Sequence, residues 1–552
     1  MPTKILLIAV VNKEKHNPYY PIGLYTLKTF LENNHIGKCD IKIFDLSFYS
    51  YSEITSLIYS WKPDIVGMSV DTGCVEILYD FMQCLNNSLP KDSNILYVIG
   101  KYAATFTYMD LLKMYPKVIC VRGEGELALS GLIDFINGEK QLKEVNNISY
   151  IDKQTGVIIN TEPAVISNFE QVGLIDHKDA KKYYEEGGDI WIETSRGCPW
   201  GKCSHCSIAQ LENKFARRNK PINMIITELK QIVAIGIERV TFSDSEFIGH
   251  SIMGVIRAME IAKRIIANNI KISFHLDMRI SSIVDKNDTP KERQLRIQML
   301  ELLKNAGLRT VYIGIETGSS TQLKRYNKGT NIQIAEEAIA LCRKLDLNMA
   351  IGFIILDPLV SKKEIIENIT FISRNHIEGN LSFPLNKLRC YPGIPYIAMI
   401  KNEEMKLGKK LISQKVDMHT LDYKVVDYKY PNVKIISKFA SRYVDGEYDL
   451  YNTIRWFERF NDKIFGIELS NEFVYLMKAA INFKIAQLNF LYQLSMLTDE
   501  DLLNTEIPER IFSNAVDKRT EITEKIKMDI IQKGHATICN RIIYQIEKLL
   551  IN

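Results

Sequence analysis

The segment Glu193-Thr194-Ser195-Arg196-Gly197-Cys198-Pro199-Trp200-Gly201-Lys202-Cys203-Ser204-His205-Cys206 places three thiols within nine residues. Thiolates are soft ligands suited to iron–sulfur clusters and to zinc, and a compact loop lets three of them meet one face of a metal centre. Held by three thiolates, a four-iron cluster keeps one iron open to a further molecule. The spacing alone leaves two alternatives: zinc with His205 as a fourth ligand, and buried cysteines without a chemical role.

The compartment sharpens the choice. The apolar run Ile5–Val11 is short for a signal segment and has no small-residue cleavage site, and no stretch approaches about 18 apolar residues. A cytoplasmic, reducing location is expected, where clustered cysteines among the ten serve metals or catalysis more often than disulfides. A net charge of +4 over 552 residues, without a long basic run, gives no sign of a nucleic-acid binder. The hydrophobic share of 46% and charged share of 25% are those of a packed globular protein.

Several elements must position that loop. The length exceeds one core and implies about three domains. Residues 1–150 alternate apolar runs (Ile5–Val11, Ile41–Phe44, Ile65–Val70, Ile95–Ile99, Val118–Val121) with helical patterns such as Ile22–Asn33, Val75–Leu85 and Tyr108–Met114. That rhythm predicts an open parallel sheet with ligands beyond its strands' carboxyl ends. Residues 151–185 read as a strand-poor connector with a turn at Asp152–Gly156.

From 186 to 400 a second series of six strand-plus-helix units predicts a partial (β/α)6 barrel, the first strand at Ile190–Glu193 and the last near Lys387–Arg389. The cysteines follow its first strand, at the end where such barrels carry their sites. Residues 401–552 carry long amphipathic, aromatic-rich patterns (Tyr448–Phe460, Phe473–Leu497) that predict a mostly helical third domain. The overall class is α/β.

The cysteine loop at the end of a first barrel strand resembles the radical S-adenosylmethionine (SAM) superfamily. The usual signature there is C-x3-C-x2-C with an aromatic before the last cysteine; this chain has C-x4-C-x2-C and His205 in the aromatic's place. Thr241-Phe242-Ser243-Asp244-Ser245-Glu246 follows strand two, Asp277-Met278-Arg279 strand three, Gly314-Ile315-Glu316-Thr317-Gly318-Ser319 and Asn327-Lys328-Gly329 strand four, and Tyr391-Pro392-Gly393-Ile394-Pro395 strand six. The resemblance implies that Cys198, Cys203 and Cys206 hold a [4Fe–4S] cluster and that Ser243, Asp244, Glu246, Arg279, Glu316 and His205 contact SAM. Each motif singly also has a structural reading, as cap, ion pair or turn.

Residues 1–150 resemble the cobalamin-binding domain that precedes many superfamily members, through Pro21-Ile22-Gly23-Leu24, Pro63-Asp64-Ile65-Val66-Gly67-Met68-Ser69-Val70 and Val121-Arg122-Gly123-Glu124-Gly125-Glu126. That resemblance implies corrinoid contacts at Ser69, Gly100, Gly123 and Glu124. With no D-x-H-x-x-G motif, no histidine is expected on cobalt. Relatives commonly carry Gly-Gly-Pro-His after strand four, where this chain has Gly100-Lys101-Tyr102-Ala103, so Lys101 and Tyr102 are expected to intrude on the corrin or to replace some of its contacts.

The implied activity is reductive cleavage of SAM to methionine and a 5′-deoxyadenosyl radical, hydrogen abstraction, and cobalamin-dependent C-methylation of a peptide or natural-product intermediate. An electron donor such as flavodoxin or ferredoxin is expected, and no side chain need act as a general base. The rivals are an epimerase, cyclase or rearrangement enzyme of the same superfamily without methyl transfer and, from another class, a non-catalytic zinc-containing binding protein.

Overall fold

The computed structural model describes the chain except residues 1, 13–17, 89–93, 209–215, 250, 446–448, 451–452, 455–473, 536–538 and 552. Most of the Tyr448–Phe460 pattern lies outside the described residues.

The N-terminal sheet runs β2-β1-β3-β4-β5-β6-β7. Strands β1 (Thr3–Val10), β2 (Cys39–Asp45), β3 (Ile65–Val70), β4 (Leu96–Gly100) and β5 (Ile119–Val121) pair in parallel. Central β1 is apolar on both faces, as a strand covered from both sides must be. Leu6, Ile8 and Val10 enter one core with Met68 and Val70, while Ile5, Leu7 and Ala9 enter the other with Ile65 and Val98. Helices α1 (Ile22–Asn34), α2 (Tyr51–Trp61), α3 (Val75–Ser88), α4 (Lys101–Met114) and α5 (Glu126–Ile136) cover the faces.

The expected connector is not strand-poor throughout. β6 (Ile148–Ile151) and β7 (Ile158–Asn160) add an antiparallel hairpin to the sheet edge, joined by the Asp152–Gly156 turn, where Asp152 accepts backbone N–H bonds from Gln154 and Thr155.

The second sheet is parallel and ordered β14-β13-β12-β11-β8. It comprises β8 (Trp191–Ile192), β11 (Arg239–Phe242), β12 (Ser273–Arg279), β13 (Leu308–Glu316) and β14 (Asn348–Phe353). A short pair, β9 (Ser195–Arg196) with β10 (Arg218–Asn219), brackets the cysteine loop. In β12 the alternation sends Phe274, Leu276 and Met278 outward into the helical layer and leaves Ser273, His275, Asp277 and Arg279 half-buried on the other face.

The helical layer starts and stops at recognisable signals. Thr289 and Glu292 form a capping box ahead of Pro290–Ala306, Gly307 ends that helix at φ 115°, and Ser361 with Glu364 caps Lys362–Arg374. The sixth unit is present without a full strand: Leu356 bridges Lys387 in parallel, and Leu388 N–H donates to Leu356 O at 2.8 Å.

The C-terminal region opens with a hairpin, β15 (Ile412–Asp417) and β16 (Asp422–Val425), before its helices Pro431–Asp445, Val474–Met496, Asp499–Leu503, Glu506–Gln532 and Asn540–Ile551. The hairpin tip reaches the N-terminal domain, where Leu421 is buried in its core and Gly73 N–H donates to His419 O at 2.7 Å. Leu488, Leu491 and Leu494 pack into the barrel's core. Among the described residues no helix is long and apolar enough to cross a membrane.

Candidate functional site

The cysteine loop leaves β9 at Arg196 and is pinned along its length to two distant segments. Ser204 Oγ donates to Arg325 O at 2.7 Å, Ser204 N–H to Tyr326 O at 2.9 Å, and Tyr396 N–H to Ser204 O at 2.9 Å. Trp200 Nε1 donates to Asn327 O at 2.8 Å, and Asn327 Nδ2 to Lys202 O at 3.0 Å. The Arg325–Asn327 segment and Tyr396 thus act as the loop's scaffold. The longer first gap between cysteines is occupied by Trp200, whose ring lies over Gly329 and within 5.2 Å of the Arg279 guanidinium.

Cys198, Cys203 and Cys206 are free thiols of intermediate burial. Burial pushes the Cys203 thiol up, while Lys328 and Arg279 beside it favour its thiolate; burial likewise pushes Cys206 up, to about 12. All three thiols are close enough to repel one another as anions. A cationic wall facing three thiols suits an anionic cluster. Among the described residues no group of three or more His, Cys, Asp and Glu is drawn together tightly enough for a single metal ion. The ligands of a four-iron cluster stand further apart, because its own bulk separates them.

His205 is buried against Tyr326, ring centroids 4.8 Å apart, with Nε2 3.9 Å from Glu316. Burial lowers its pKa to about 4, so the ring is neutral near neutral pH. Glu316 ends β13 at φ 71°, a left-handed conformation for a non-glycine residue, and accepts from Lys328 Nζ at 2.9 Å. A side chain at position 314 would collide with both partners, which explains Gly314. Arg279 Nη2 donates to Lys328 O at 3.3 Å, while its Nη1 is buried without a protein partner. Cys203, His205, Glu316, Lys328 and Arg279 therefore form one cluster at the strand ends.

The residues after β11 behave differently. Asp244 is 2% exposed and accepts from Thr194 Oγ1 at 2.9 Å and from the Ser195 hydroxyl. Glu246 is fully buried, accepting from Ser282 Oγ at 2.6 Å and from the N–H groups of Ile248 and Gly249, with Arg217 3.6 Å away. Both carboxylates clamp loops, Asp244 the one after β8 and Glu246 its own. Ser243 faces a cavity, its Oγ 3.3 Å from Ile192 O.

That cavity, of about 510 Å³, lies between the carboxyl ends of the two sheets. It is lined by Ser69, Gly100, Gly123 and Glu124 from the N-terminal domain and by Trp191, Arg196 and Ser243 from the barrel. The four corrinoid-contact candidates are thereby gathered in one place. Its size is within the about 300–1,000 Å³ usual for cofactor sites. Gly23 and Gly100 leave open room where a side chain would protrude into it.

Glu124 does more than line the cavity. Its carboxylate pairs with Arg196 at 3.1 Å and with Arg218, and Arg196 also reaches Glu126 and Glu193, each at 2.7 Å. Arg196 thereby ties the β5–α5 loop to the first residues of the cysteine loop. Sequence reasoning passed over Arg196, Tyr19 and Asp71; the Arg-Gly pair ahead of Cys198 was the available signal for the first, and nothing local marks the others.

Comparison with known proteins agrees with this construction. Residues 192–372 match the model of the radical SAM superfamily. The 4′-phospho-dehydrooxetanocin synthase of Priestia megaterium is 27% identical over 387 residues, 68% of this chain and 51% of that protein, so the chain spans about half its length. An uncharacterized methyltransferase of Pyrococcus horikoshii is 28% identical over 366 residues, 65% of this chain and 74% of that one. The cobalamin-dependent SAM radical enzyme OxsB, solved with aqua-cobalamin bound, superposes with a TM-score of 0.85 at 20% identity, covering 100% of this chain and 84% of OxsB, a likeness of fold. Residues 192–372 thus carry a radical SAM domain, and the N-terminal sheet, barrel and C-terminal region together share the fold of OxsB.

Proposed function

We propose that the chain is a cobalamin-dependent radical SAM enzyme that C-methylates a small molecule or peptide. Cys198, Cys203 and Cys206 would hold a [4Fe–4S] cluster, with SAM beside it and a corrinoid in the cavity between the sheets. When bound, the cluster and SAM supply one-electron radical chemistry and the corrinoid supplies methyl transfer.

The chain's own residues hold and orient. Arg279 would bind a carboxylate such as that of SAM's methionyl end, a role supported by its buried unpartnered N–H beside Cys203. Lys328 keeps Glu316 ionised: burial raises the carboxyl's pKa, but Lys328 and His205 bring it below its ordinary value. The neutral His205 ring, tilted against Tyr326, offers an apolar face where relatives place an aromatic. Trp191 and Ser243 carry the cavity toward the barrel mouth, so a substrate between them would meet both cofactors.

The observation that carries the reading is the shared cavity, which joins the strand ends of the N-terminal sheet to those of the cysteine-bearing barrel. The test is anaerobic incubation of reconstituted protein with SAM, a reductant and cobalamin, scoring 5′-deoxyadenosine and retained cobalamin in the wild type and in Cys203→Ala. Deoxyadenosine that vanishes in the variant, with cobalamin retained by the wild type, supports the reading. A second outcome, radical chemistry without methyl transfer, is favoured by the relative named as a synthase; deoxyadenosine formed with no methyl group reaching product would select it.

A further inference from the structure

We propose that Lys101, Tyr19 and Asp71 form a polar anchor that binds a peripheral carboxamide of the corrinoid; this rests on the cobalamin reading above. The three side chains come from the carboxyl ends of β4, β1 and β3 and line the cavity together. In a sheet ordered β2-β1-β3-β4, the crevice between β1 and β3 is where the chain's winding reverses, the usual ligand position in such folds. Lys101 Nζ lies 2.8 Å from Asp71 Oδ2 and donates to the Tyr19 hydroxyl at 3.0 Å. Around them the wall is mostly apolar, with Leu7, Ile22, Leu24, Met68 and Val98. A few polar groups in an apolar wall are what fix a ligand's orientation.

Lys101 is poorly chosen for stability. Its φ of 68° is a conformation that side chains resist and that glycine adopts freely. It is also the first residue of α4, a 14-residue helix, where the macrodipole disfavours a cation. Burial works against its charge as well, yet Tyr19 and Asp71 keep the ammonium protonated. A residue that persists against both backbone and helix dipole points to a ligand.

The chemistry fits one functional group. An ammonium has three N–H donors; two engage Asp71 and Tyr19, which leaves one for a ligand, and the Tyr19 hydroxyl can donate its own proton. Those donors suit a carboxamide oxygen, and the Asp71 carboxylate suits a carboxamide N–H.

The test uses the full chain, anaerobically reconstituted, as wild type, Lys101→Gly and Tyr19→Phe. Hydroxocobalamin affinity is measured from retained corrin absorbance, beside iron per chain and the melting temperature without cobalamin. The expected result is a Kd about tenfold or more higher for Lys101→Gly, and a smaller rise for Tyr19→Phe, with iron content unchanged and a melting temperature no lower than wild type. Equal or tighter binding by Lys101→Gly overturns the inference and leaves the cobalamin reading standing. Weaker binding that tracks a lower melting temperature overturns it too, because Lys101 is then a strut. A wild type that retains no cobalamin overturns the cobalamin reading, and the anchor with it.

Discussion

Replacing Gly329 by alanine puts a methyl group 2.5–2.6 Å from two atoms of the Trp200 ring, about 1 Å inside ordinary carbon–carbon contact. The residue also has a φ of 72°, which costs an alanine about 1 kcal/mol. Trp200 is half-buried, so the ring can swing outward, but doing so breaks its 2.8 Å bond to Asn327 O and its stacking with Arg279. The lost hydrogen bond adds about 1 kcal/mol and the lost cation–π contact about 0.5–1 kcal/mol. The sum, about 2–3 kcal/mol, falls on the segment between Cys198 and Cys203 and leaves the barrel core intact. A shift of that size reduces the loop's competent population about 30- to 150-fold.

The assay is iron retained per chain during anaerobic challenge with a chelator, read beside the melting temperature of the cluster-free chain. The variant should lose iron much faster than wild type while melting only a few degrees lower. Trp200→Leu in the same background, which removes the clashing ring, should recover part of the retention. Wild-type iron retention in Gly329→Ala would refute the idea that Trp200 on Gly329 accommodates the longer cysteine spacing.

Three further outcomes follow from buried charge. Arg196→Met leaves Glu126, 3% exposed, without its 2.7 Å ion partner and should destabilise the chain by about 3–5 kcal/mol, read as a lower melting temperature and faster proteolysis between the first two domains; a change under about 1 kcal/mol would remove Arg196 as an interdomain tie. Lys220→Met removes the ammonium 2.6 Å from fully buried Glu228, leaving it only the Ile175 N–H and His177, and should cost a similar amount in thermal unfolding, whereas an unchanged melting temperature would show that His177 compensates the carboxylate. Asp244 is raised by burial to about 6, above its unfolded value, so the folded chain takes up a proton there and this group's penalty, at most about 3 kcal/mol, is relieved as pH falls from about 7 to about 4. Wild type should therefore gain stability relative to Asp244→Asn over that window, and parallel melting profiles would contradict it.

The strands and most helices were legible because their apolar periods are strong and local. β3 has the bounds expected, Ile65–Val70. α4 was read from Tyr108 but starts at Lys101: its first turns carry Thr105 and Thr107 among aromatics, and the non-helical Thr107, at φ −130°, breaks the period between the halves. The β6–β7 hairpin was read only as a turn, since strands of four and three residues at a sheet edge carry too few positions for alternation to show. Six barrel units were expected; the sixth is a bridge at Leu356–Lys387, because pairing depends on a neighbour the local text does not name.

For the site, position was legible and direction was not. The cysteines, Arg279, Glu316 and His205 lie at strand ends in the order of their motifs, while Asp244 and Glu246, equally well placed in the sequence, are taken up by loop contacts. A carboxylate after a strand can cap backbone N–H groups or face a ligand, and which it does depends on what approaches it. Here the adjacent Thr194 and Ser195, after β8, approach Asp244, and Ser282, after β12, approaches Glu246. The same limit explains Arg196. Glu124 and Glu126, Glu193, and Arg218 come from three separated stretches, each of which reads alone as ordinary surface charge; only the packing of one domain's strand ends on the other's makes them a buried set. The cavity has the same origin, since neither domain encloses it alone. Motifs can therefore specify which cofactors a chain of this kind is built around, while the contacts between its domains govern how those cofactors face one another, and through that the reaction carried out.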